Sequence, residues 1–288
     1  WNWPFCFMLE QSLLSINVFQ TQLGPCMRKL RYQRRESLSA IWALRFGLFA
    51  AVLSVLGFLL HRLGKIETPE FVLIAGLGSA LAIFSLFFSA IGLRNLWVNA
   101  DKGGTRSFWG SVFSLLVLMP PCFLGSQWYS SPPLYDLTTN FETPPQFPST
   151  MPARLPHMNI LTDNVQSDML AQMSAYPELI GRRYEAAPDR VAQGVENTLK
   201  AFGWREISRD TPLPAQNAIR FAATAHSPIL GLKSDVVIRL LDEGETTYVD
   251  MRSVSQYGER DMGLNAAFIT SFLSALEGEV NKAPADAE

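Results

Sequence analysis

Residues 41–60 read IWALRFGLFAAVLSVLGFLL, twenty positions with one charge, Arg45. At about 1.5 Å of rise per residue a helix of this length covers the hydrocarbon core of a bilayer, about 30 Å thick. Arg45 stands close enough to one end for its guanidinium to reach the head groups. A second stretch, 71–93, carries no charge, and a third, 108–124, ends with Pro120 and Pro121 inside it. Three transmembrane helices are therefore expected in region 41–126, behind an N-terminal cytoplasmic segment, 1–40. Ala75, Gly76, Ser79 and Ala80 recur three to four apart on the second helix, where small side chains let backbones approach. Packing within the bundle is the first reading of that stripe and dimerisation the second. Gly76 and Gly78 lie inside an apolar span with no strand before them, so they are not a dinucleotide loop. No Asp or Glu interrupts a span, which leaves an ion or proton path without its usual parts.

Orientation follows from the basic residues of short loops. Arg28, Lys29, Arg31, Arg34 and Arg35 precede the first span, and Arg94, Lys102 and Arg106 lie between the second and third. The first loop instead sets Arg62 and Lys65 against Glu67 and Glu70. The N-terminus is thus expected inside and everything after Gln127 outside, with Trp128 and Tyr129 as interfacial anchors. The first residue is Trp1, and residues 1–26 hold one charge, Glu10, with neither a basic n-region nor a small-residue cleavage site. The expectation is that Met27 is the natural start and that 1–26 is an upstream translation artefact.

Over all 288 residues the apolar share is 48% and the charged share 17%, an imbalance concentrated before residue 127. The net charge of −2 and the lack of a basic face in the C-terminal half argue against nucleic acid as a partner. Cys6, Cys26 and Cys122 all precede that half, so neither a disulfide framework nor a zinc spacing is drawn from them.

Prolines crowd the chain from Pro132 and Pro133 through Pro144, Pro145, Pro148, Pro152 and Pro156. Such a run favours extended backbone, and region 127–156 is expected to be a stiff spacer lifting the domain 157–288 off the bilayer. Pro188 opens a helix with Val191, Val195, Thr198, Leu199 and Phe202 on one face, and Gly203 stops it. A short strand at 204–207 is followed by three alternating runs: Ile219, Phe221, Ala223 and Ala225; Val236, Ile238 and Leu240; Val249 and Met251. Alternation of this kind predicts an antiparallel sheet covered on one side by helices, an α+β soluble domain. Leu264, Phe268, Phe272, Ala275 and Leu276 form the helical stripe that covers it, and the charged tail after Val280 is expected to fray.

Four motifs in order carry a resemblance. They are 133–140 (PLYDLTTN) with 144–147 (PPQF), 234–239 (SDVVIR), 250–255 (DMRSVS) and 261–266 (DMGLNA). Together they resemble the domain of unknown function 1499 family over about the last 155 residues. Ser234 stands where that family commonly has an acid, and Gln256 where it commonly has Arg. The resemblance implies a bacterial protein with membrane helices ahead of the domain, in the inner membrane, and it implies no activity.

No G-x-S-x-G, H-E-x-x-H, C-x-x-C or phosphate-binding loop occurs in the C-terminal half, whose histidines are His157 and His226. No catalytic residue, metal site or cofactor is assigned. The candidate ligand or motif residues are Asp136, Thr138, Asp235, Arg239, Asp250, Arg252, Ser253, Asp261 and Asn265. A two-residue turn at Glu243 and Gly244 would set Asp235 opposite Arg252 and Val237 opposite Asp250, with Arg239 diagonal to Asp250. Ion pairs across strands on a solvated face are the plainer account of those charges. Asp261 is expected to cap the last helix, with Gly263 letting its backbone approach the sheet; Asn265 in its first turn could hold an anion, with Arg252 as counter-charge. Two functions follow. One is an extracytoplasmic binding or scaffold module of the cell envelope, its partners the bilayer and an envelope protein, lipid or glycan. The other is an envelope enzyme using the Asp, Arg, Ser and Asn residues of the hairpin and last helix.

Overall fold

In the computed structural model, residues 35–161, 169–210 and 218–282 are described. The basic residues Arg28 to Arg34, the start expected at Met27, Cys6, Cys26 and the last six residues of the tail lie outside them.

Among the described residues three long helices come first: α1 (Leu38–Arg62), α2 (Thr68–Asn99) and α3 (Gly104–Ser130). Each is long and apolar enough to cross a membrane. Large apolar side chains such as Phe49, Leu73, Phe87 and Phe123 point outward, as a lipid-facing surface requires. Inside, the helices meet on small residues: Ala43, Gly47 and Ala50 of α1, Gly78, Ala82, Ser85 and Ser89 of α2, Ser107, Gly110 and Ser114 of α3. A side chain at Gly110 would stand 2.8 Å from the Ala43 carbonyl carbon. At that range serine hydroxyls reach neighbouring backbones: Ser85 Oγ donates to Ala43 O and Ser89 Oγ to Ser107 O, both at 2.7 Å. The packing stripe is not the expected one. Gly76 and Ala80 are exposed, and the contact runs along Gly78, Ala82, Ser85 and Ser89 instead. The third helix outruns its expected 108–124 at both ends, and it passes through Pro120 and Pro121 to Ser130. A membrane helix tolerates proline where the carbonyls it leaves unpaired are satisfied otherwise.

The remaining elements are β1 (Asp136–Thr138), α4 (Met169–Ala175), β2 (Arg182–Tyr184), α5 (Pro188–Phe202), β3 (Arg205–Asp210), β4 (Ala218–His226), β5 (Lys233–Asp242), β6 (Thr247–Ser255) and α6 (Leu264–Val280). The sheet is antiparallel in the order β1-β6-β5-β4-β3, with β2 also pairing with β6. Helices α5 and α6 cover one face through Val191, Val195, Leu199, Phe268, Phe272 and Leu276, against Phe221, Ile238 and Met251. Phe202, expected among these, is 40% exposed at the helix end, where Gly203 turns left-handed at φ 64°.

Two expectations about the sheet are corrected. Asp242 pairs with Thr247, so four residues rather than two form the β5–β6 turn, and Arg239 lies opposite Asp250, Val237 opposite Arg252 and Asp235 opposite Val254. The slip is two residues, which keeps every side chain on its assigned face. The second face is also not solvated. Val237, Ala222 and Val254 on it are buried, with Asp250 and Arg252.

Its cover is the proline-rich stretch itself. Instead of lifting the domain away, this stretch supplies β1, whose Leu137 is fully buried, and residues 140–156 then run back over the polar face. The bundle and the domain are in direct contact. His61 Nδ1 donates to Leu230 O at 2.9 Å, since a carbonyl can only accept, and Nε2 meets Thr68 Oγ1 at 3.2 Å. Lys233 pairs with Glu67 at 3.3 Å, Tyr257 Oη reaches the same carboxylate at 3.4 Å, and Arg260 donates to Ser131 O.

Candidate functional site

The nine candidate residues divide between the two faces of the sheet. On the face under the proline-rich cover three ion pairs stand in a row. Arg252 clamps Asp136 with Nε and Nη2 at 2.9 and 2.7 Å, and the Phe147 ring lies 5.4 Å from its guanidinium carbon. Arg239 binds Asp250 through Nε at 3.0 Å and again through Nη2, and it also donates to Thr143 O at 2.6 Å. Asn140 Nδ2 adds a donor to Asp250 at 3.3 Å. Asp235 pairs with Arg154 at 2.8 Å and accepts from Gln256 Nε2 at 2.8 Å. Gln256 therefore serves the acid that an arginine at its position would serve as a cation. Charges this deep need both partners and full hydrogen bonding. Burial pushes the Asp250 carboxyl above its ordinary range, and Arg239 and Asn140 pull the other way.

On the helix face the partners are neutral. Asn265 is fully buried, and its amide is shared among two hydroxyls of β6 and the carbonyl just ahead of β1. Ser253 Oγ donates to its Oδ1 at 2.8 Å, while Nδ2 donates to Tyr135 O at 2.9 Å and meets Ser255 Oγ at 3.0 Å. Asp261 accepts from the amides of Asn265 at 2.8 Å and Gly263 at 3.1 Å, a cap on the first turn of α6. Burial raises its pKa against those two donors. Gly263 is at φ 79°, and the nearest atom to a side chain placed there is Tyr176 Oη at 3.6 Å. The glycine serves the left-handed turn, not a close approach to the sheet. Arg252 and Asn265 lie on opposite faces, so Arg252 is not a counter-charge for an anion held at Asn265.

Thr138, also fully buried, closes on Asn140 with its hydroxyl. Its backbone is paired by a residue the sequence did not single out: Gln172 Oε1 accepts from Thr138 N at 3.2 Å and Nε2 donates to Thr138 O at 2.7 Å. The side-chain amide thus imitates the neighbouring strand that the edge strand β1 lacks. Nothing in the sequence around a lone Gln points to that role. Among the described residues no three His, Cys, Asp or Glu side chains are grouped so as to hold a metal ion.

What is open to solvent or lipid lies elsewhere, at the junction of bundle and domain. A cavity of about 650 Å³ is walled by Phe71 and Leu73 of α2, Leu124 and Trp128 of α3, and Leu232 and Met262 of the domain. Lys233 and Arg260 stand in the same wall. Across the 227–232 turn a second cavity of about 950 Å³ is lined by Arg62, His226 and Lys233 with Phe202, Trp204 and Phe268. Burial lowers the His226 pKa, and the charges of Lys233 and Arg62 lower it further. Burial beside Glu67 pushes the Tyr257 hydroxyl up to about 12. The signal for these groups in the sequence was only their place, after the first span, on either side of the turn before β5, and in the stretch after β6.

A search of curated proteins returns no match to this chain. Among solved structures, the crystal structure of the vertebrate conserved region of human METTL16 is 18% identical and covers 39% of this chain and 88% of that one. Its TM-score is 0.27, too low to bear on fold or function. The family described as "Protein of unknown function (DUF1499)" matches residues 136–276, which span β1 to the body of α6 and contain both buried networks. The soluble domain of this chain belongs to the DUF1499 family.

Proposed function

We propose that this protein is a multi-pass protein of the bacterial inner membrane that holds a binding or scaffold module against the outer surface of that membrane, its N-terminus cytoplasmic. The observation that carries the reading is the docking of the domain onto the loop between α1 and α2, through His61, Glu67, Lys233 and Tyr257. A domain seated in this way has a fixed attitude to the bilayer, which is useful for presenting a surface and unnecessary for a tethered soluble enzyme. The motif residues support it as well. Eight of the nine are buried and Arg239 is partly so, each is hydrogen-bonded within the domain, and the concave surface at the junction uses none of the nine except Asp261. The orientation rests on the basic residues Arg94, Lys102 and Arg106, which share one end of the bundle away from the domain.

Two experiments test the reading separately. The protein should stay with the membrane pellet after carbonate extraction, and release into the supernatant would remove the membrane reading. A fusion at Val280 should be active with alkaline phosphatase and dark with green fluorescent protein; the reverse pattern would put the domain in the cytoplasm.

A further inference from the structure

The larger features of the junction are apolar walls at the level where α2 begins and α3 ends, and cations above them. Phe71, Val72 and Leu73 form the first turn of the apolar part of α2, and Leu124 and Trp128 the last turns of α3. On the membrane reading given above, on which this inference rests, the cavity between them opens at the boundary of head groups and acyl chains. Its volume of about 650 Å³ and its mainly apolar lining with a few polar groups are those of a ligand site. Water is a poor occupant of apolar walls, and acyl chains are the apolar molecules next to these.

The charges say which amphiphile. The walls of the two cavities carry Arg62, Lys233 and Arg260 and one carboxylate, Asp261, which is taken up by the amides of Gly263 and Asn265. Lys233 keeps its pair with Glu67 at 3.3 and 3.4 Å, and an ammonium has three donors, so a phosphate oxygen shares it rather than replacing the carboxylate. The guanidinium of Arg260 is held 5.0 Å above the Trp128 ring and spends one donor on Ser131 O, which leaves a planar fork of donors at the rim. Arg62 has no carboxylate partner among the described residues. Fixed cations over an apolar trough complement a phosphate carried on acyl chains. We propose that this cavity binds one anionic phospholipid of the surrounding bilayer, with its chains between α2 and α3 and its phosphate at Lys233 and Arg260.

Gly125 provides a plug. It lines the cavity, and a Cβ added there meets nothing within 4 Å, so Gly125→Phe sets a ring at the cavity wall with no clash at its first atom. The full chain, reconstituted in vesicles of equal parts phosphatidylcholine and phosphatidylglycerol and then extracted in mild detergent, is read by native mass spectrometry. The expected result is one retained phosphatidylglycerol, lost in Gly125→Phe, and retained without preference over phosphatidylcholine in the double variant Lys233→Gln, Arg260→Gln. Equal retention of both lipids by the wild type, or a lipid complement unchanged in Gly125→Phe, would overturn the proposal. So would displacement of the lipid by inorganic phosphate alone, which would make the site one for a free anion. A protein that enters the vesicles and keeps no lipid fails this proposal alone, whereas one that does not enter them fails the membrane reading.

Discussion

Asn265 and Arg252 make opposite demands on the fold although both are buried. Asn265 is neutral, and both polar atoms of its side chain are hydrogen-bonded, to the Ser253 and Ser255 hydroxyls and the Tyr135 carbonyl. Asn265→Ala takes the acceptor from the Ser253 hydroxyl and one of two donors from the Tyr135 carbonyl, which keeps the Ser255 amide at 2.8 Å. It should cost about 1–3 kcal/mol for each group left unmet, read as a lower thermal melting point of the full chain in detergent. An unchanged melt would restore Asn265 to the ligand-site candidates. Arg252 is charged and 1% exposed, and its removal leaves Asp136 buried without the clamp. Arg252→Ala should destabilise by about 3–5 kcal/mol, whereas Arg252→Met combined with Asp136→Leu should be nearly neutral, because the cost lies in the uncompensated charge. A double variant as unstable as the single one would show that the pair does more than neutralise itself.

Between elements, the closeness of α1 and α3 is set by Gly110, which no side chain can replace without pushing on the Ala43 backbone at 2.8 Å. Gly110→Val should therefore separate the two helices, break the Ser85 bonds that bridge them, and destabilise the bundle by about 1–3 kcal/mol or more. Gly76→Val is the contrasting substitution, since a side chain there meets nothing within 4 Å and the residue faces outward. Melting of both variants in detergent should show a loss for the first and none for the second. A loss at Gly76 would mean that its stripe packs against another copy of the chain. The small-residue periodicity of α2 was readable, but two overlapping stripes of small residues satisfy the same spacing. Which stripe faces α1 depends on the rotation of the helix, and only the partner helices fix that.

For the molecule as a whole, the junction between bundle and domain carries a titratable group. Burial first, and then the charges of Lys233 and Arg62, hold the pKa of the half-buried His226 below the ordinary 6.5 against the opposing charge of Asp235. The folded chain thus binds this proton less readily than the unfolded one. Its contribution to stability is complete above the ordinary value and is lost as pH falls through the depressed one. Melting points of the full chain across about pH 5 to 8 should drop toward the acid end, and His226→Gln should remove that step. A pH profile identical in the variant would assign the acid sensitivity elsewhere.

The sequence by itself determined what depends on local periodicity. Twenty residues with a single charge near one end read as a span wherever they occur, and Phe221, Ile238 and Met251 declare their shared face by alternation, which a two-residue slip in register does not disturb. It also determined the family, because four short motifs stand in order. The tertiary structure alone decided what depends on residues far apart in the chain. The prolines of 132–156 read as a spacer because proline favours extended backbone, yet an extended backbone is equally suited to supply a strand and to lie flat over a sheet. The charges of 235–252 read as a solvated face because alternation shows which residues share a side and cannot show what covers it. The cover is 140–156, and the partner of Asp136 lies 116 residues away along the chain. A contact at that separation leaves no periodic trace, so it is decided by where the folded elements bring the two side chains together.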